Sequence, residues 1–324
     1  MRRISMPTVE ITTEYGRATR EKALLIVNPR SGNTRALDLI APVIEALSNK
    51  GYETWAFTTT GRGDATRLAN EYGAECALLV VIGGDGTVNE VIRGIMTVEA
   101  ELRPVIGYIP MGSTNDFSAA LGLPKTPDGL IETAIDGVPT PIDVGSFNGR
   151  HYAYLASFGA FTDISYSTPQ NAKNALGFLA YLGSGMNSIA NIRPIRTTVV
   201  IGDKMMTDDY AFASVSNTPS VVGVINYQRS RVDLADGIFE VMLINYPRNA
   251  VELGKVARAL SSGDYNCELM HIYSCSEVRF ILDDPVNWML DGELVESGHD
   301  VRIRNVPSAI RIMLPRKKPR PLFE

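Results

Sequence analysis

Residues 78–90 constrain the fold of this 324-residue chain more than any other stretch. An apolar run, residues 78–82, leads directly into Gly-Gly-Asp-Gly-Thr, and apolar residues at helical spacing follow. This order predicts a buried strand, a tight turn and a helix N-terminus. Glycines at a helix N-terminus leave backbone N–H groups open to phosphate, and Asp85 beside phosphate implies an intervening Mg²⁺. The same short string is also compatible with an ordinary turn at a strand end.

Three further polar turns follow predicted strands in the first half of the chain. They are residues 28–33, 58–61 and 110–117. Strands that alternate with helical patterns predict a parallel sheet covered on both faces. Ligands of such sheets bind beyond the carboxyl ends of the strands, so we expect the four turns to converge on one crevice. Asp116 adds a second carboxylate there, although its surroundings also fit a helix-capping sequence.

The length and a change of pattern near residue 143 predict two domains. Residues 1–21 form a polar leader, and residues 22–142 form a nucleotide-binding α/β domain with a parallel sheet. Residues 143–305 contain short strand-like segments with few helical patterns between them, which predicts a mainly antiparallel β-sandwich that binds the substrate. We expect residues 306–324 to return to the first domain and complete it.

Charge and composition exclude several classes of protein. A formal net charge of −5 argues against a nucleic-acid binder, which would normally be basic. The three cysteines lack CxxC spacing, so neither a disulfide framework nor a zinc site is indicated, and a reducing cytoplasm is expected. No apolar run approaches the roughly 18 residues of a transmembrane segment. Any lipid substrate would therefore be met from outside the bilayer. A homodimer is compatible with the sequence, which leaves the oligomeric state open.

Two segments have alternative interpretations. Residues 171–192 are apolar-rich and predicted to be helical, so they either line an entrance for an acyl chain or pack against their own sheet. Residues 316–320 are basic, so they either attract an anionic membrane surface at roughly 1 kcal/mol per charge or are simply solvated.

Four ordered motifs carry a resemblance to a known family. They are Asn-Pro-x-Ser-Gly at 28–32, Gly-Gly-Asp-Gly-Thr-x-Asn-Glu at 83–90, Gly-Ser-Thr-Asn-Asp-Phe at 112–117 and Asp-Gly-Glu at 291–293. Together they resemble the diacylglycerol kinase catalytic family, most closely its bacterial soluble lipid kinases, with sphingosine and ceramide kinases as relatives. The likeness spans about Lys22 to Leu314. It implies a first domain like that of phosphofructokinase and NAD kinase, ATP as phosphate donor, Mg²⁺ as cofactor and a lipid acceptor at a membrane surface.

The resemblance also implies a role for individual residues. Glu293 corresponds to the general base, while Asp85 and Asp116 act through the catalytic metal or on the acceptor. A second, structural Mg²⁺ would be held by Asp233, Asp236 and the backbone carbonyl of Ile238. The residues implied in ATP binding are Asn28, Pro29, Arg30, Ser31, Gly32, Thr59, Thr60, Gly83, Gly84, Asp85, Gly86, Thr87, Asn89, Glu90, Ser113 and Thr114, with Thr60 as the alternative to Thr59 if the loop register shifts by one.

This chain departs from the family pattern in three places. Ser113 stands where threonine is common, which keeps the hydroxyl, and Arg30 is bulkier than the residue often found there. The leader before Lys22 is unusual, and no role is assigned to it.

The sequence therefore predicts an ATP-dependent lipid kinase, acting on diacylglycerol or a similar lipid in the cytoplasm with peripheral membrane contact. One alternative is a nucleotide kinase like NAD kinase, which shares the glycine-rich turn but lacks the pairing of Gly-Ser-Thr-Asn-Asp with a distant Asp-Gly-Glu. The other is a non-catalytic nucleotide or lipid sensor, which the full set of acidic residues disfavours. The identity of the acceptor lipid is left open.

Overall fold

The computed structural model describes residues 21–113, 115–160, 192–217, 220–221, 225–226 and 234–316. Its first half alternates strands with helices. The strands are β1 (Lys22–Val27), β2 (Glu53–Thr58), β3 (Leu78–Gly83) and β4 (Val105–Pro110), and the helices are α1 (Ile40–Asn49), α2 (Asp64–Tyr72), α3 (Asp85–Ile95), α4 (Asp116–Leu121) and α5 (Pro127–Asp136).

These strands form a parallel sheet in the order β2-β1-β3-β4. Every residue of β3 is buried, so both faces of the sheet are covered at its centre. This burial explains the continuous apolar run that the sequence shows before the glycine-rich turn. The predicted parallel α/β domain is confirmed.

The second half is mostly antiparallel. Its strands are β5 (Val138–Phe147), β6 (Arg150–Tyr152), β7 (Leu155–Gly159), β8 (Ile195–Ile201), β9 (Lys204–Ser216), β10 (Ser220–Val221), β11 (Ile225–Asn226), β12 (Phe239–Asn245), β13 (Met270–Cys275), β14 (Glu277–Leu282), β15 (Asn287–Leu290), β16 (Glu293–Glu296) and β17 (Asp300–Leu314). Most of them join one sheet in the order β16-β15-β7-β9-β8-β14-β17, with β12 beside β9 and β13 beside β12.

Aromatic rings fill the core of this antiparallel part. The Trp288 ring lies 4.7 Å from the ring of Phe158 and 5.1 Å from the rings of Phe147 and Phe280. Phe158 on β7 also contacts Phe280 on β14, although these two strands are not hydrogen-bonded neighbours. The sheet therefore curves so that its layers pack face to face, as the sandwich prediction requires.

Two long strands connect the two halves. β5 and β17 pair antiparallel from Val138 beside Leu314 to Phe147 beside Ile303, and β17 also pairs parallel with β4. The central sheet is therefore continuous across the molecule. The predicted boundaries at residues 142/143 and 305/306 fall inside these strands, so the division into domains stays a prediction.

One helix in the second half was not predicted. α6 (Ala250–Ser262) begins after Asn249, whose side chain accepts a hydrogen bond from the Glu252 N–H, and buries Leu253, Val256 and Leu260. Among the described residues between β5 and β17 it is the only helix, which agrees with the prediction of few helices between these strands. The spacing of those apolar residues is helical, and their burial against the sheet stabilises a segment flanked by strands on both sides.

The interpretations of residues 171–192 and of the basic tail fall almost entirely outside the described residues. Of these segments the structure describes Ile192, which is buried, and Arg316, which approaches Asp136 at 3.5 Å. Among the described helices, none combines the length and the apolar character needed to cross a membrane.

Glu240 on β12 is expected to make the stability of this protein depend on pH. Burial, followed by the charge of Asp236, raises the pKa of Glu240 to about 7. A carboxyl group whose pKa is higher in the folded state stabilises the fold at low pH, and this contribution disappears as pH rises through the folded-state pKa. We expect Glu240→Gln to gain stability relative to the natural protein between about pH 4.5 and 8, by up to about 3 kcal/mol, in urea unfolding at several pH values. A pH-independent difference would contradict this prediction.

Candidate functional site

A cleft of about 500 Å³ lies beyond the carboxyl ends of β1, β2 and β3. It is lined by three of the four predicted turns and by the turn between β15 and β16. The lining residues are Asn28, Arg30, Ser31, Thr59, Thr60, Gly61, Arg62, Gly84, Gly86, Thr87, Glu90, Gly292 and Glu293. The fourth turn lines an adjoining pocket of about 520 Å³, with Arg30, Ser31, Gly32, Arg35, Met111, Gly112 and Ser113. The fold thus brings all four turns to one edge of the sheet.

The turn of residues 83–89, here called the phosphate turn, opens α3 towards this cleft. α3 has no side-chain N-cap among the described residues, and Gly84 and Gly86 keep side chains out of the approach to its first turn. Asn28 ties the turn after β1 to the phosphate turn, because its side-chain amide donates to the Thr87 hydroxyl at 3.1 Å. A helix N-terminus with bare glycines can hold the phosphates of a nucleotide.

The phosphate turn packs directly on the fourth turn through two glycines. A Cβ added to Gly112 would lie 2.7 Å from the Cα of Gly84, and one added to Gly84 would lie 3.0 Å from the Cα of Gly112. These are contacts between backbones, which move less readily than flexible side chains. The two turns therefore have a fixed spacing that only glycine permits.

We expect Gly112→Ala to weaken ATP binding about tenfold. Overpacking at a rigid contact costs about 1–3 kcal/mol. Because the added methyl group would displace the phosphate turn, we expect this cost to appear as weaker nucleotide binding. Calorimetric titration with ATP and Mg²⁺ measures the effect. Gly254→Ala is the matched control, because a Cβ there meets no atom within 4 Å. Unchanged affinity in Gly112→Ala would show that the spacing is not needed.

Asp85 lies at the start of α3 and bonds to the start of α4. Its carboxylate accepts hydrogen bonds from the backbone N–H groups of Asp116 at 3.0 Å and Phe117 at 3.3 Å, and from the Tyr108 hydroxyl at 3.4 Å. Partial desolvation, and then the negative charge of Asp85, raises the pKa of Asp116. The two carboxylates are therefore near enough to repel each other.

This pair of carboxylates fits a divalent cation shared with a nucleotide. In the described part of the chain, no group of three or more His, Cys, Asp or Glu side chains could hold a metal ion alone. Mg²⁺ commonly takes one or two carboxylates and completes its shell with water and substrate phosphates. Mutual repulsion between Asp85 and Asp116 is the electrostatic condition that such a cation relieves.

Glu293 enters the cleft from the other half of the molecule, on a two-residue hairpin turn. Asp291 and Gly292 have φ values of 48° and 85°, as such turns favour, and Glu293 follows as the first residue of β16. Asp291 is 3% exposed, and its carboxylate accepts the backbone N–H groups of residues 153, 154 and 155 at 2.5, 3.0 and 2.9 Å. Asp291 thus fixes the turn that carries Glu293.

Three arginines surround the Glu293 carboxylate. Arg93 on α3 binds it through two nitrogens at 2.7 and 3.2 Å, Arg150 on β6 lies at 2.7 Å, and Arg62 before α2 lies at 3.3 Å. Burial alone would raise the pKa of Glu293, but the hydrogen bond and charge of Arg93 and the charges of Arg62 and Arg150 outweigh it and hold the pKa below its usual range. Glu293 is therefore ionised at neutral pH.

These three arginines were not among the site residues predicted from the sequence. Arg62 has a local signal, because it stands between two glycines in a loop that follows a strand. Arg93 and Arg150 have none, since each reaches Glu293 only through the tertiary fold.

Several predicted site residues have other positions or contacts. The Glu90 carboxylate accepts the N–H groups of Gly63 at 2.8 Å and Ala65 at 3.2 Å, so it caps α2 as well as lining the cleft. Asn89 is 1% exposed and, like Pro29, Gly83, Asp85 and Asp116, is not among the residues that line the cleft. Ser113 lies in the adjoining pocket.

The second metal site is described only in part. Thr114 and Asp233 lie outside the described residues. The Asp236 carboxylate accepts the Ile238 N–H at 2.9 Å within its own loop. The structural Mg²⁺ on Asp233, Asp236 and Ile238 therefore stays a prediction.

One family model and several known proteins are similar to this chain. The model of the diacylglycerol kinase catalytic domain matches residues 22–147. A diacylglycerol kinase of Bacillus subtilis (strain 168) is 33% identical over 306 residues, which are 92% of this chain and 98% of that protein. One of Staphylococcus epidermidis is 34% identical over 258 residues, 79% of this chain and 80% of that protein. A candidate diacylglycerol kinase from Bacillus anthracis str. Sterne shares the fold, with a TM-score of 0.77 at 21% identity over 91% of this chain and 97% of that one.

Proposed function

This chain belongs to the family of diacylglycerol kinase catalytic domains and is an ATP-dependent lipid kinase, and we propose that it phosphorylates a hydroxyl of diacylglycerol or a similar lipid. The reaction takes place where the phosphate turn faces Glu293. The observation that carries this proposal is the position of an ionised carboxylate, Glu293, in the wall of the same cleft as Gly84, Gly86 and Thr87.

In the proposed reaction, the acceptor oxygen forms a bond to the γ-phosphorus as the bond from that phosphorus to the β,γ-bridging oxygen breaks. ADP leaves with the electron pair of the broken bond, and the acceptor proton passes to Glu293. Phosphoryl transfer depends mainly on alignment and charge stabilisation, so the chain's main task is to hold donor and acceptor in line. Asn28 and the phosphate turn position the donor, and the Asp291 turn positions Glu293.

Asp85 and Asp116 would hold Mg²⁺ together with the nucleotide. The metal, when bound, neutralises charge on the phosphates. The hydrogen bonds from the N–H groups of Asp116 and Phe117 orient the Asp85 carboxylate before any ligand arrives. This orientation reduces the reorganisation that binding requires.

The acceptor lipid would be reached from the membrane surface by a protein acting in the cytoplasm. ATP is a cytoplasmic donor, and Cys76, Cys267 and Cys275 are free thiols, which fits a reducing compartment. The family relation supports diacylglycerol as the first acceptor to test, because the two bacterial relatives carry that name.

The test is transfer of labelled γ-phosphate from ATP with Mg²⁺ to micellar lipids presented one class at a time. Diacylglycerol, a sphingoid base and a polyprenol form the panel, with NAD in a parallel reaction. We expect labelled phosphatidic acid from diacylglycerol and no labelled NADP. Transfer to another lipid would correct the substrate, and labelled NADP would overturn lipid phosphorylation in favour of nucleotide phosphorylation.

A further inference from the structure

We propose that Arg62 binds the γ-phosphate of ATP and exchanges its contact with Glu293 for that phosphate when the nucleotide enters. This inference rests on the proposed placement of ATP in the cleft. None of the four motifs in the sequence contains Arg62, which lies in the loop between β2 and α2.

The position of Arg62 places its guanidinium group near the expected position of the terminal phosphate of ATP. Its side chain lines the cleft together with Gly84, Gly86 and Thr87. It also lies 3.3 Å from the Glu293 carboxylate, which must approach the acceptor hydroxyl and therefore the γ-phosphorus. A guanidinium group that contacts Glu293 and lines the same cleft as the phosphate turn is within reach of the group being transferred.

The three arginines around Glu293 differ in how firmly they are held. Arg93 is 17% exposed and binds both carboxylate oxygens, the closer at 2.7 Å. Arg150 does not line the cleft and lies at 2.7 Å. Arg62 is 70% exposed, has the longest contact and stands between two glycines. Arg62 is therefore the arginine that can leave Glu293 most readily, because its side chain is more exposed to water than those of Arg93 and Arg150.

The charges in the cleft favour movement of Arg62 from Glu293 to the γ-phosphate. Among the residues that line the cleft, Arg30 and Arg62 are the cations, and the chain as a whole has a net charge of −5. A phosphate group offers a guanidinium more charge and more acceptor oxygens than a carboxylate that two other arginines already bind. Arg93 and Arg150 continue to hold Glu293 after Arg62 moves away.

The experiment compares ATP and ADP binding, each with Mg²⁺ and without a lipid, by calorimetric titration. We expect Arg62→Gln to weaken ATP binding about 10- to 100-fold while ADP binding changes less than about threefold, because ADP lacks the γ-phosphate. Arg62→Lys should recover part of the ATP affinity. Arg196→Gln is the matched control, since Arg196 forms an exposed ion pair with Asp209 at 3.5 Å away from the cleft.

Glu293→Gln supplies a second readout of opposite sign. Removing the carboxylate that competes for Arg62 is expected to tighten ATP binding by about two- to fivefold. The assignment would be overturned if Arg62→Gln left the preference for ATP over ADP unchanged, whether neither affinity fell or both fell equally. Natural protein that binds neither nucleotide would overturn the placement of ATP itself, whereas ATP binding without lipid phosphorylation would leave Arg62 assigned and overturn only the acceptor.

Discussion

Replacing Glu293 by glutamine is expected to lower kcat by about 10²–10⁴-fold, because a general base in phosphoryl transfer contributes on this scale. The amide keeps the size of the side chain and can still accept a hydrogen bond from Arg93, but it cannot take the acceptor proton. We expect ATP binding to be retained, because the phosphate turn and Asn28 are unaffected. Initial rates with saturating diacylglycerol and ATP measure the loss.

Glu296→Gln is the control for this variant, because Glu296 is an exposed residue on the same strand, β16. It should retain normal kcat. A normal kcat in Glu293→Gln would remove Glu293 from the proton transfer.

The low pKa of Glu293 adds a prediction on pH. Because the arginines hold this pKa below its usual range, the free enzyme keeps Glu293 ionised above about pH 5. kcat/KM, which reports groups of the free enzyme, should therefore show no loss of the base between pH 8 and pH 5. If kcat/KM of the natural protein fell below about pH 7 and this decrease were absent in Glu293→Gln, the arginines would not hold the pKa of Glu293 low.

Replacing Asp85 by asparagine is expected to lower kcat by at least about 10²-fold and to raise the Mg²⁺ concentration needed for half-maximal rate. Several kcal/mol of charge stabilisation depend on the metal, and each 1.36 kcal/mol is a factor of ten in rate. Asparagine retains one oxygen for the N–H groups at the start of α4 but loses the second acceptor and the charge. Mg²⁺ titration of the rate separates the two effects.

Asp128→Asn is the matched control, since Asp128 also stands in the first turn of a helix, α5, but is exposed and belongs to none of the four turns at the edge of the sheet. Its loss should cost about 0.3–1 kcal/mol of stability through the helix dipole and leave the Mg²⁺ requirement unchanged. An Asp85→Asn enzyme with a normal Mg²⁺ requirement would refute the role of Asp85 at the metal.

Elements with local signals could be predicted from the amino-acid sequence alone. The continuous apolar runs of β1 and β3 predicted buried parallel strands, because burial on both faces leaves no polar alternation. The glycines and polar residues after those strands predicted the turns, and the topology of a parallel sheet then placed the turns at one edge. The Asp-Gly pair at residues 291–292 is likewise a local signal, because Asp-Gly is typical of a two-residue hairpin turn.

Other features were decided by the tertiary structure. Helix α6 is not one of them, because its helical spacing and its Asn249 cap are local signals that could have predicted it from the sequence. The continuous sheet through β5 and β17 depends on pairing between residues more than 150 positions apart, such as Val138 with Leu314. Such pairings have no local signal.

The candidate site shows most clearly which features can be predicted from sequence and which depend on the folded structure. The motifs predicted Asp85, Asp116 and Glu293 as acidic residues of one site, but they gave no information about the charges that surround Glu293. Arg93 is 200 residues away from Glu293 in the chain and 2.7 Å away in space. Local sequence specifies backbone geometry and therefore turns and strands, whereas the ionisation and orientation of a side chain depend on every group that folding brings within a few ångströms of it. Only the folded structure could show that this carboxylate is held ionised by three arginines.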